Sequence, residues 1–191
     1  MIDPNISNII RARRSTYPRD FNGEKVEDHV VKEILENANY APTHRMTQPW
    51  FFKIYKGKSK DILANEMIRS YEELYGKELI SKIKKKKIFE KCKRSNCIIS
   101  VFMKRDPNNS IPEWEEIAAT AMAVQNIWLT CAANNIGCYW STPKYCIKMN
   151  RFFNLNSDEK SLGFIYLGKF DHSKVKPKNR KSIDQKTEWK I

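Results

Sequence analysis

Four arginines and two hydroxyls crowd one short stretch, IIRARRSTYPRDF, where an apolar-periodic run stops ahead of Pro18. Guanidinium forks present paired donors to phosphate oxygens, so Arg13, Arg14 and Ser15 suit a phosphate monoester. The competing reading is a basic helix C-terminus complementing its own dipole. Further on, APTHRMTQPWFFKIY is a polar turn running straight into an aromatic strand. Other familiar chemistries are missing. The chain has no G-x-G-x-x-G, no P-loop and no G-x-S-x-G. His29, His44 and His172 lack metal-ligand spacing with the cysteines. Glu113, Glu115 and Glu116 read as an acidic helix N-terminus favoured by the dipole.

The elements that must position these residues can be read from periodicity. Pro4 to Arg13 is a helix that Pro18 ends, and Val26 to Ala41 is a second, stopped by Pro42. Trp50 to Tyr55 is a strand, with Lys56-Gly57-Lys58 as its turn. Ser59 to Arg94 is one or two helices broken near Gly76. Cys97 to Met103 is an apolar run of strand length, covered on both faces. Arg105 to Pro112 is a loop. Trp114 to Asn134 is the longest helix and apolar nearly all round, so it is either the central core helix or the lining of a subunit interface. Gly137 to Ser141 is a short strand, Ile147 to Phe153 a short helix, and Gly163 to Leu167 the last core strand. The basic tail from His172 wraps a surface. Helices and strands mix without regular βαβ alternation, which predicts an α+β fold in a single domain, residues 1–191.

The 191 residues carry a net charge of +13, which raises nucleic acid as a partner. Much of the charge lies in SKIKKKKIFEKCKR, Ser81 to Arg94. Phe89 alone is aromatic among these lysines, too few rings to stack bases, so a solvated helix face outweighs that reading. The five cysteines are an odd number with no C-x-x-C pair, as expected of packed, reduced thiols. MIDPNISNII does not read as a signal peptide, and Ile117 to Ala133 carries Gln125-Asn126 at its middle, so it reads as a buried helix rather than a membrane span. A soluble cytoplasmic protein is expected.

In the order and spacing of these motifs, over nearly the whole chain, the sequence resembles the FMN-dependent nitroreductase family. Chains of that family open with R-R-S or R-x-S and carry a Q-P-W turn. The resemblance implies an α+β nitroreductase-like fold, a central mostly antiparallel sheet wrapped by helices, in an intertwined homodimer with FMN at the interface. By position, Arg13, Arg14 and Ser15 then meet the FMN phosphate. The residue two beyond the serine also does so in the family; here it is Tyr17, with Arg19 as a substitute. His44, Thr47 and Gln48 match the turn that reaches the cofactor, partly across the dimer, while Trp50 packs beneath. Tyr139, Trp140, Ser141 and Thr142 match the strand end that faces the flavin ring. Lys169, and Arg180 within the Lys176–Lys181 tail segment, match a basic element near the phosphate. The activity implied is hydride transfer from NAD(P)H and reduction of a small acceptor, such as a nitroaromatic or quinone, by a ping-pong mechanism. His44 is the one side chain offered as a proton donor. A flavin-binding relative with a specialised or electron-shuttling role is the alternative, and a basic nucleic-acid-binding protein a weaker one.

Overall fold

The computed structural model describes residues 4–174 and 179–190. Among the described residues six helices surround one sheet: α1 (Pro4–Ala12), α2 (Asp28–Asn39), α3 (Ser59–Tyr75), α4 (Lys82–Arg94), α5 (Glu113–Ala133) and α6 (Asn150–Phe153). The strands are β1 (Trp50–Tyr55), β2 (Cys97–Lys104), β3 (Gly137–Ser141) and β4 (Glu159–Gly168), in spatial order β1-β2-β4-β3. Every neighbouring pair is antiparallel. No helix among the described residues is long and apolar enough to cross a membrane.

The two central strands, β2 and β4, bury both faces. β2 is buried from Cys97 through Met103, and its side chains alternate between two cores because strand periodicity is two. Cys97, Ile99 and Val101 join Ile165, Leu167 and Cys138 beneath α2 and α5. Ile98 and Phe102 join Phe164 and Tyr166 beneath α3 and α4, with Leu63, Met67, Ile88 and Cys92. The sheet is thus the middle of three layers.

α5 presents Ala119, Ala123, Val124, Ile127 and Cys131 to the first core. Small residues at Ala119 and Ala123 let it lie close to the sheet and to α2. Its polar residues serve that contact: Asn126 donates to the Asn37 carbonyl at 3.1 Å, and Asn37 donates to the Thr130 hydroxyl at 3.2 Å. The face turned away from the core is also apolar, leaving Trp114, Ile117 and Met122 exposed.

Several boundaries differ from the sequence expectation. α1 ends at Ala12, one residue before the expected Arg13, and Pro18 opens a 3-10 turn, Pro18–Asp20. The segment between is extended and bonded to the sheet, since the Thr16 amide donates to the Cys138 carbonyl at 3.1 Å. The expected helix Ile147–Phe153 divides into a 3-10 turn, Lys144–Lys148, and the short α6. β4 begins four residues before the apolar run, because Glu159, Lys160 and Ser161 pair with the end of β2 although they are not buried core. Pairing partners, rather than burial, extend that strand.

Candidate functional site

Arg13 and Arg14 leave the end of α1 and meet the C-terminal half of α5. The Arg13 guanidinium lies over the Trp128 ring, 4.8 Å from its centroid. Trp128 Nε1 donates to both the Arg14 carbonyl at 3.0 Å and the Cys138 carbonyl at 3.1 Å. One indole therefore pins the arginine segment to β3.

Arg14 folds back on its own helix end, with Nη1 donating to the carbonyls of Arg11 and Arg13, the latter at 3.0 Å. To that extent the helix-terminus reading of the basic cluster holds. Its Nε, however, is buried with no hydrogen-bond partner. Burying such a donor unsatisfied costs about 1–3 kcal/mol. Arg13 is held below its ordinary pKa by burial first, then by the positive charges of Arg180 and Arg14. Among the described residues no carboxylate pairs with Arg13, Arg14 or Arg180, and the Ser15 hydroxyl has no hydrogen-bond partner. A cavity of ≈ 300 Å³ opens here, lined by Arg14, Thr16, Trp128, Asn135 and Phe170 among others. An orphaned guanidinium donor beside mutually repelling cations is the donor set a phosphate would satisfy.

The remaining basic candidates are spread. Arg180 is exposed and joins the cluster through its field on Arg13. Lys169 is half-buried, and its carbonyl accepts from the Asn22 amide at 2.9 Å. Lys176, Pro177 and Lys178 lie outside the described residues. Tyr17 packs its ring against Tyr139, centroids 4.6 Å apart, and carries the exposed Arg19 guanidinium at 5.3 Å.

Period-two alternation separates the β3 candidates. Tyr139 belongs to the α3–α4 core, whereas Trp140 packs in the α5 core with its Nε1 donating to the Leu162 carbonyl at 2.9 Å. The two rings lie on opposite faces of the sheet, so they cannot line one face of a ligand together. Thr142 lines a separate, mostly apolar cavity of ≈ 250 Å³ with Trp140, Ile117 and Cys146. Ser141 and Thr142 lie tight against the neighbouring antiparallel strand β4. A Cβ on Gly163, whose φ is +98°, would come within 2.2 Å of the Ser141 carbonyl oxygen, so only glycine permits this approach.

The Q-P-W turn sits at the other end of α5. His44–Met46 is a 3-10 turn with Arg45, Met46 and Gln48 in left-handed backbone, φ 51°, 53° and 44°. Non-glycine residues adopt that region at a cost of order 1–3 kcal/mol each, and such strain collects at functional turns. The Thr43 hydroxyl holds the turn, accepting from the Gln48 amide at 3.2 Å and bonding the Thr47 hydroxyl at 3.1 Å. Gln48 borders a cavity with Trp50, Phe52 and Asn39, and Trp50 Nε1 donates to Asn39 at 3.2 Å. His44 Nδ1 lies 2.5 Å from Glu115 Oε2 in the first turn of α5.

Within one chain these candidates therefore form two groups: Arg13, Arg14, Ser15 and Arg180 beside Trp128, and His44, Thr47 and Gln48 beside Glu115. Those two α5 residues are about 20 Å apart along the helix axis.

The family model described as Nitroreductase family matches residues 10–169, from the end of α1 through the last strand. The chain belongs to the nitroreductase family. YfhC of Bacillus subtilis strain 168, named as an NAD(P)H nitroreductase, is 28% identical over 96% of this chain and 93% of its own length. The crystal structure of a nitroreductase-like family protein from Bacillus cereus superposes with a TM-score of 0.80 at 27% identity, covering 99% of this chain and 97% of that one. The FMN-dependent nitroreductase NfnB of Mycobacterium smegmatis, solved in complex with NADPH, has the same fold at 16% identity, with a TM-score of 0.72 and 97% of each chain covered.

Sequence reasoning missed three features of this nitroreductase-family chain. Trp128 was one more apolar residue of a long helix, yet it organises the arginine segment. The acidic start of α5 is not one dipole cluster: Glu113 pairs with Lys160, Glu115 with His44, and the buried Glu116 with Arg105. The lysine run is not wholly solvated either. Lys85 pairs with Glu72 at 2.6 Å, and Lys91 lies over the rings of Tyr139 and Tyr166 at 5.5 and 5.4 Å. The five thiols are free and buried.

Proposed function

We propose that this nitroreductase-family protein is an NAD(P)H-dependent FMN oxidoreductase that reduces a small acceptor, a nitroaromatic or quinone, by ping-pong exchange in one site. The observation that carries the reading is the buried, unpartnered Arg14 Nε among cations that lack a carboxylate. Arg13, Arg14, Ser15 and Arg180 hold the FMN phosphate in this reading, with Lys169 nearby. Bound FMN supplies the two-electron relay between nicotinamide and acceptor. The chain's own part is to bind, orient and donate hydrogen bonds. Thr47 and Gln48 offer polar groups from a turn rigidified by Thr43, and the end of β3 offers the backbone of Ser141 and Thr142.

The two groups of residues, too far apart to serve one cofactor within a chain, support a homodimer in which the Q-P-W turn of one copy faces the arginines of the other. Ile6 and Ile10 on α1 and Trp114, Ile117 and Met122 on α5 are exposed apolar side chains that a second copy would cover.

The visible spectrum of the purified protein, before and after anaerobic NADPH or NADH, tests the proposal. Flavin bands that bleach with reductant are expected, with parallel double-reciprocal lines when donor and acceptor are varied. A colourless protein that takes up no added FMN would overturn it.

A further inference from the structure

Among the acidic residues that begin α5, two are committed to structure. Glu113 binds Lys160, and Glu116 binds Arg105 while accepting from the Asp106 amide at 2.6 Å. Glu115 is left, and its partner is His44 Nδ1 at 2.5 Å. The only other charged side chain on the His44 turn is Arg45, which is exposed. An ionised carboxylate only accepts, so the proton of this hydrogen bond sits on Nδ1. His44 Nε2 has no partner among the described residues, and the side chain is 54% exposed against 23% for Glu115. The carboxylate is sheltered by the helix start and the imidazole reaches outward from it.

We infer that Glu115 is a positioning residue that holds His44 as the proton donor to the acceptor through Nε2. The inference rests on the oxidoreductase reading above. Reduction of a nitro group to nitroso consumes two electrons and two protons, breaks one N–O bond and releases water. Hydride drawn from NAD(P)H brings both electrons and one proton; the second proton comes from Nε2 of the imidazolium. The ring that remains is the Nδ1–H tautomer, the form Glu115 stabilises. With Nδ1 held, the donating nitrogen cannot swap, and solvent reprotonates Nε2 before the next turnover. The strained backbone at Arg45, Met46 and Gln48 and the Thr43 hydrogen bonds fix the turn that carries the ring. An orienting carboxylate on an acid–base histidine selects its tautomer by the same logic in other enzymes.

The experiment is ¹⁵N-histidine NMR of the FMN-loaded protein at a pH where the ring is neutral, with His44→Gln to assign the signal among the three histidines. It is paired with turnover of nitrobenzene and of ferricyanide, which takes electrons without protons. The Nδ1–H tautomer is expected in the wild type and in Glu115→Gln, which keeps an acceptor oxygen. Glu115→Ala should revert the ring toward Nε2–H. It should also lower the nitrobenzene-to-ferricyanide rate ratio about tenfold, less than the roughly hundredfold or more that removal of a general acid costs. An unchanged tautomer in Glu115→Ala, or an equal loss with both acceptors, would overturn the inference. A wild type that reduces neither acceptor would instead overturn the oxidoreductase reading beneath it, a result visible before any variant is made.

Discussion

Replacing Arg14 with methionine should erase much of the protein's preference for FMN over riboflavin, which lacks the phosphate. Two donors of this guanidinium are directed at the Arg11 and Arg13 carbonyls, while Nε is buried and unpartnered. A single charge-assisted hydrogen bond from Nε to phosphate contributes about 1.5–3 kcal/mol. At about 1.4 kcal/mol per tenfold, its loss weakens FMN binding roughly 10- to 150-fold. Riboflavin affinity should change much less, because methionine keeps the volume of the stem. Stability of the flavin-free protein should also change little. Methionine forfeits the carbonyl contacts but removes both an unsatisfied buried donor and a charge that repels Arg13. Flavin fluorescence quenching, titrated with FMN and riboflavin on deflavinated wild type and variant, measures the ratio of the two dissociation constants. An unchanged ratio in Arg14→Met would mean that the phosphate does not bind at the arginine segment.

Three further outcomes are expected. Glu116→Ala leaves the Arg105 guanidinium, which is only 17% exposed, with neutral partners alone at Asn109 and the Ile111 carbonyl, and should lower unfolding free energy by about 3–5 kcal/mol in urea titrations; a loss below 1 kcal/mol would show that the pair contributes little. Burial pushes Cys92, Cys97 and Cys146 up to about 12 from an ordinary 9.0. Because the folded values exceed the unfolded ones, this contribution to stability is complete below pH 9.0 and is lost as pH rises toward 12. The urea midpoint should therefore decline across that window, and a thiol reagent at neutral pH should label the native protein far more slowly than the unfolded one. Gly163→Ala forces a Cβ into the Ser141 carbonyl, so it should either prevent folding or shift the β3 end; soluble variant with unaltered melting temperature and flavin affinity would contradict that contact.

Much of the architecture was legible from periodicity. Trp50–Tyr55 and Gly137–Ser141 form strands with the expected boundaries, and the break near Gly76 separates α3 from α4. Local steric preference and the burial of one stripe or one face set these elements, and both are written in neighbouring residues. A boundary slipped where a distant partner intervened: the start of β4 is paired with the end of β2. The chemistry divides the same way. That arginines, a serine and a Q-P-W turn were available, in an order resembling a flavoprotein family, followed from the chain alone. Which of them meet did not. His44 and Glu115, and Trp128 and the Arg14 carbonyl, are brought together by the placement of α5, and Arg13 and Arg180 by the return of the C-terminal tail. Residue types and local spacing decide what an element can be and what it can donate. Pairing between residues far apart in sequence, the desolvation of a particular guanidinium nitrogen, and the separation of the two halves of the site along one helix depend on the relative placement of whole elements, which no local pattern encodes.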